Sequence, residues 1–222
     1  MKRLLLALAL SSGCASINSQ IDLDKYIKKN TPVFIEQQKE RFGLTYEGEL
    51  PTIRYIFMKD RIGACYSDGT IILDPSDLVN DEVRKTKAKK AKNTLHHELA
   101  HFNNFKIRKR LGIGYDGTLR EKIVEEGTAE YIANTMTGEM KKCPALTNLA
   151  EKQYEKTNEE GETDSAFLYL TGACVTGLVI ERYGEFGIGY MSEHLPADEE
   201  IANPYTYRTR MLAELASQAA AK

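Results

Sequence analysis

Histidine is scarce in this chain, with four residues among 222, and three of the four crowd into one short stretch as His96, His97 and His101. Positive charge is not in excess either: 30 Lys and Arg face 32 Asp and Glu, a net charge of −2, which argues against nucleic acid as the main partner. No apolar run is long enough to cross a bilayer; Leu4 to Leu10 is the longest and falls well short. Low-complexity tracts and internal repeats are missing, so the length suggests one domain that buries its own core without staples. Cysteine is limited to Cys14, Cys65, Cys143 and Cys174. None is spaced to set a thiol beside the histidines with a third orienting group, so nothing suggests a cysteine nucleophile.

What the chain does have is Thr94-Leu95-His96-His97-Glu98-Leu99-Ala100-His101-Phe102, in a segment that reads as helix. Four residues of helix turn through about 400°, so His97 and His101 project within roughly 40° of each other. Two neutral imidazoles so placed can hold one Zn²⁺ at about 2.0–2.1 Å. Glu98 lies beside the open coordination position, where a carboxylate can take a proton from water. Ala88, Ala91, Leu95, Leu99 and Phe102 form a separate apolar stripe that seats the helix on a core.

A third ligand is sought in Ile123-Val124-Glu125-Glu126-Gly127-Thr128-Ala129-Glu130-Tyr131-Ile132-Ala133. On a helical wheel Val124, Thr128, Tyr131 and Ile132 make the apolar side, and Lys122, Glu125 and Ala129 take the side expected to be wet. Glu126 and Glu130 share an arc with Ile123, Gly127 and Ala133, where an unpaired carboxylate would be costly. Glu126 is therefore expected as third ligand and Glu130 as the partner of a histidine's free ring nitrogen. Gly127 is expected to let the two helices approach closely.

His97-Glu98-Leu99-Ala100-His101 followed by Glu126-Gly127-x-Ala129-Glu130-Tyr131 resembles the gluzincin metallopeptidases, and most of all the small bacterial peptidase MA-like proteins. The resemblance covers roughly residues 50 to 195 and is specific at the two zinc helices. It implies an α+β, zincin-like fold, with a small N-terminal sheet followed by a mainly helical part. It also selects Glu126 over Glu125, because in that family the Glu before Gly is the ligand, and it implies a peptide or protein substrate. The Gly-x-Met-Glu-Asn motif of aminopeptidases is absent. Two other readings stay open: a catalytically silent zinc protein that binds a peptide or protein partner, and a zinc amidase acting on cell-wall peptide.

Met1-Lys2-Arg3 before the apolar Leu4 to Leu10 reads as a secretory signal. Leu10-Ser11-Ser12-Gly13-Cys14 resembles a bacterial lipobox, although its Leu is one position too far upstream. The expectation is a signal peptide over 1–13, a tether over 14–22 and one domain over 23–222. Cys14 would carry lipid, and the protein would be exported to the cell envelope and anchored to a membrane.

Further along, Asp24 to Phe42 reads as an amphipathic helix with Val33 among its apolar residues and Pro32 as a kink or a second start. Thr52 to Met58, Gly63 to Tyr66 and Thr70 to Asp74 read as β-rich. By the resemblance, one of residues 63–66 or 70–73 is an edge strand that pairs with extended substrate. Arg108 to Gly117 reads as a loop, Ala145 to Tyr154 as a short helix, Ser165 to Tyr183 as a central apolar helix ending before Gly184, and Tyr205 to Ala221 as a last helix. Cys143 and Cys174 are the preferred disulfide. For the donor that stabilises a developing oxyanion, Tyr154, Tyr169, Tyr183, Tyr190 and His194 are the candidates. Tyr169 is chosen as a phenol buried on the central helix.

Overall fold

The computed structural model describes residues 19–46, 48–58, 63–65, 68–79, 84–139 and 165–221. The signal segment, Cys14, Cys143, Tyr154 and the helix expected at Ala145 to Tyr154 lie outside them. The described residues are mainly helical with one small sheet, as the α+β expectation has it.

Helix α1 (Gln20–Phe42) starts where the Ser19 side chain accepts the Asp22 N–H and stops at Gly43, whose φ of 66° suits glycine. It runs through Pro32 as a single element. Leu23, Ile27, Phe34, Ile35 and Phe42 are buried, whereas Val33, expected on the apolar side, is exposed.

Three strands follow: β1 (Thr52–Tyr55), β2 (Gly63–Cys65) and β3 (Thr70–Leu73). Their order is β1-β3-β2, with β1 parallel and β2 antiparallel to β3. Thus β3 is central, and β2, from the first of the two candidate segments, is an edge. The expected strand at Thr52 to Met58 ends early, at Tyr55, and beyond it the Met58 N–H donates to Asp74 Oδ2 at 2.6 Å.

After the short α2 (Pro75–Val79), α3 (Arg84–Leu111) and α4 (Leu119–Thr137) form an antiparallel pair. The loop expected from Arg108 begins only at Gly112, whose φ is 71°; Arg108 is still helical and buried. Helix α4 opens with a capping box between Thr118 and Glu121 and closes at Gly138. Its wheel is correct for Val124, Thr128, Tyr131 and Ile132, all buried, and wrong for Glu125 and Ala129, which are buried too.

Helix α5 (Ser165–Glu193) does turn at Gly184, at φ 54° and ψ −134°, but helical residues resume beyond it. A Cβ there would strike the Phe42 carbonyl. Close approach at Gly127 is real, but the neighbour is Gly172 of α5 and not α3; a Cβ on either glycine would overlap the other's backbone. The chain closes with α6 (Asp198–Ala202) and α7 (Pro204–Ala220).

Helix α3 sits between two hydrophobic clusters. Ala91, Leu95, Leu99 and Phe102 face α1 and β3 in one; Ala100 and Ile107 join α4, α5 and α7 in the other. Amphipathic packing on both sides fixes its rotation and so decides where its histidines point.

Candidate metal centre

With its apolar residues turned to the two cores, α3 presents His97 and His101 towards α4. Their Nε2 atoms are 3.1 Å apart. Glu126 Oε2 lies 3.3 Å from His97 Nε2 and 3.2 Å from His101 Nε2. Four donors at Zn²⁺ bond lengths in a tetrahedron are about 3.3 Å from one another, so this donor set has the chemistry and the spacing the ion needs. Among the described residues His97, His101 and Glu126 are the one group of three ligating side chains that converge in this way. The histidine side chains keep 13% and 12% of their surface and Glu126 keeps 26%, so solvent reaches the centre.

Each outer ring nitrogen faces a carboxylate of its own. His97 Nδ1 is 3.6 Å from Glu130 Oε2, the partner expected of it, and Glu130 Oε1 accepts from Asn134 Nδ2 at 2.8 Å. His101 Nδ1 is 3.7 Å from Glu125 Oε2. Burial alone would lower both imidazole pKa values, but the carboxylates outweigh it: Glu126 and Glu130 raise that of His97, and Glu125 and Glu126 raise that of His101 well above the ordinary value. Burial likewise opposes ionisation of Glu126, and the two imidazoles overcome it and hold that carboxyl far below the usual range. A metal held here would compete with protons for both rings.

Glu98, 5% exposed, lies against β2. A Cβ at position 63 would overlap its Oε1, so Gly63 is what lets the carboxylate rest on the edge strand. Cys65 on the same strand is not in a disulfide, and burial, helped by Glu98 and Glu125, pushes its thiol pKa up, away from the thiolate form. Cys174 is disulfide-bonded; Cys143, its expected partner, lies outside the described residues.

The third clustered histidine has another task. His96 stacks on Phe34 with ring centres 4.2 Å apart, and its Nδ1 is 3.1 Å from Gln38 Nε2. Burial, aided by Lys92, brings its pKa down to about 3, so it is a neutral core residue. Tyr169 is brought to the site, its ring edge-on to His97 at 5.7 Å, but it is 37% exposed where a buried phenol was expected. The Tyr190 hydroxyl bonds Glu214 at 3.1 Å, and His194 stacks on the Tyr190 ring.

Two buried residues near the centre escaped the sequence reading: Glu125, taken for a wet residue, and Arg108, placed in a loop. The signal was present, since His101, Asn104 and Arg108 follow an i, i+3, i+7 pattern once the helix is carried past Ile107. Compared with known protein families, with curated proteins and with solved structures, the chain shows no match.

Proposed function

We propose that this chain is a zinc metallopeptidase of the gluzincin type, hydrolysing peptide bonds at the centre formed by His97, His101 and Glu126. The observation that carries the reading is the convergence of two imidazole nitrogens and one carboxylate oxygen at 3.1–3.3 Å, with a fourth group, Glu98, lying on the adjacent edge strand. Zn²⁺ held by His97, His101 and Glu126 would supply a Lewis acid able to polarise a carbonyl and to bring the pKa of a water to about 7. Glu98 is not one of the converging donors and is needed only by an enzyme: it takes the proton that water gives up on adding to the carbonyl carbon. It then delivers that proton to the nitrogen as the C–N bond breaks. Among the described residues β2 pairs with β3 alone, and its other side would offer backbone N–H and C=O groups to an extended peptide, laying the scissile bond beside Glu98. Tyr169, at the rim over His97, is the proposed hydrogen-bond donor to the oxyanion.

The test is metal content and turnover measured together. Purified protein should hold near one zinc per chain, and His101→Ala should lose it. Glu98→Gln should keep zinc and lose turnover on peptide substrates. Zinc retained in His101→Ala removes the site, and full activity in Glu98→Gln removes the role of the base.

From the leader-like sequence we also propose that the protein is exported to a bacterial cell envelope by residues 1–13 and anchored through lipid on Cys14. Metabolic labelling with a fatty acid should mark wild type and leave Cys14→Ser unmarked; equal labelling would return the segment to an ordinary signal peptide.

A further inference from the structure

Behind His101, on the side away from Glu126, runs a line of buried charge that the zinc motif does not require. Arg108 is 2% exposed although its guanidinium is always ionised. Its Nη2 reaches Glu121 Oε1 at 2.7 Å and also donates to the Gly114 carbonyl, while Nη1 reaches Glu125 Oε1 at 3.3 Å. Both acids are buried, at 4% and 3% exposure. The other oxygen of Glu125 accepts from Asn104 Nδ2 at 3.4 Å and faces His101 Nδ1 at 3.7 Å. Glu121 is fixed in turn by the start of α4, where its Oε2 accepts the N–H groups of Asp116 and Thr118 at 2.9 and 3.1 Å. A continuous set of contacts therefore leads from the cap of α4 through Glu121, Arg108 and Glu125 to the back of His101.

Simply holding two helices together does not call for this. A buried ion pair is often no better than apolar residues of the same size, so its charge is worth explaining. One guanidinium shared by two carboxylates leaves one net negative charge, and Glu125 directs it at an imidazole. Glu125 and Glu126 are also neighbours, about 100° apart on the helix, and a Glu125 released from Arg108 would be a competing carboxylate next to the donor set. Tying Glu125 to Arg108 keeps it at Nδ1 and leaves Glu126 alone facing the two Nε2 atoms.

We propose that Arg108 is a positioning residue of the metal centre. Acting through Glu125, it fixes the ring and tautomer of His101 and prevents Glu125 from taking the place of Glu126 as third donor. The proposal rests on the metal-binding part of the reading above and not on the reaction.

Zinc dissociation constants are to be measured by chelator competition on the full chain for wild type, Arg108→Met, Arg108→Lys and Glu125→Gln. Visible absorption of the Co²⁺-loaded proteins reports ligand geometry alongside. Arg108→Met should weaken zinc binding by about 10–100-fold, the usual effect of losing a partner behind a ligand, and should shift the Co²⁺ bands. Arg108→Lys, which keeps the charge but not the fork, should recover most of the affinity. Glu125→Gln should weaken binding in the same direction. A folded Arg108→Met protein with wild-type affinity and an unchanged Co²⁺ spectrum overturns the proposal, whatever its Tm. If Arg108→Met does not fold, the other two variants decide: a weaker, spectrally shifted Glu125→Gln supports the proposal, and equality of both with wild type overturns it. A wild type that takes up no zinc at all overturns the metal site itself, a different result from wild-type binding that the variants leave untouched.

Discussion

Tyr169 stands edge-on to His97 at the rim of the centre, with over a third of its surface open. If it is the proposed oxyanion donor, a phenol in that position would turn its hydroxyl towards a bound carbonyl. Removing one oxyanion donor typically costs about 10²-fold in kcat, so Tyr169→Phe should lower kcat on a peptide by that order. Zinc content and Tm should stay near wild type, because the ring remains. An unchanged kcat would take Tyr169 out of the chemistry. At this scale the convergence of His97 and His101 is legible in the bare sequence, since their spacing carries the geometry. Glu125 is not: a wheel assigns a carboxylate to water unless its partner is known, and Arg108 comes from another helix.

Among elements, the errors of sequence reading gather where glycine was taken as a full stop. Gly112 does end α3, but the basic residues before it, expected in the loop, are helical, as Lys and Arg in a helix's last turn favour. Gly184 was read correctly as a break but not as a corner from which helix resumes. The junction of α6 and α7 was read as neither, and it is held by charge. The Glu200 carboxylate takes Arg210 Nε at 2.7 Å and Nη2 at 2.8 Å, and also accepts the Ala197 N–H at 2.9 Å. The Arg210 bonds lower its pKa against the opposing effect of burial. A carboxyl with a depressed folded pKa stabilises the protein fully above the unfolded value of about 4.3, and that contribution is lost as pH falls through the folded value. Glu200→Gln should therefore cost about 1–3 kcal/mol at pH 7, and its Tm should fall less between about pH 5 and 3 than that of wild type. Parallel Tm curves for the two proteins would show that the pair carries no acid linkage.

For the molecule as a whole, the class was legible, because a β-rich stretch before two long helical patterns leaves few architectures. Which helix meets which was not. Gly127 was expected to admit α3, and it admits α5 through Gly172, a contact no one-dimensional pattern specifies. The position of α3 between the two clusters has a dynamic consequence. A helix with residues in only one core can detach with that core, but α3 is released only when both come apart. Its central amides, from Leu99 to Asn104, should exchange with solvent deuterium at the rate of global unfolding, with or without zinc. The strands and the α6–α7 corner should exchange faster through smaller openings. If that is the pattern, the three converging side chains stay assembled while the periphery breathes, and a metal would find its donors already arranged, like a finished cup.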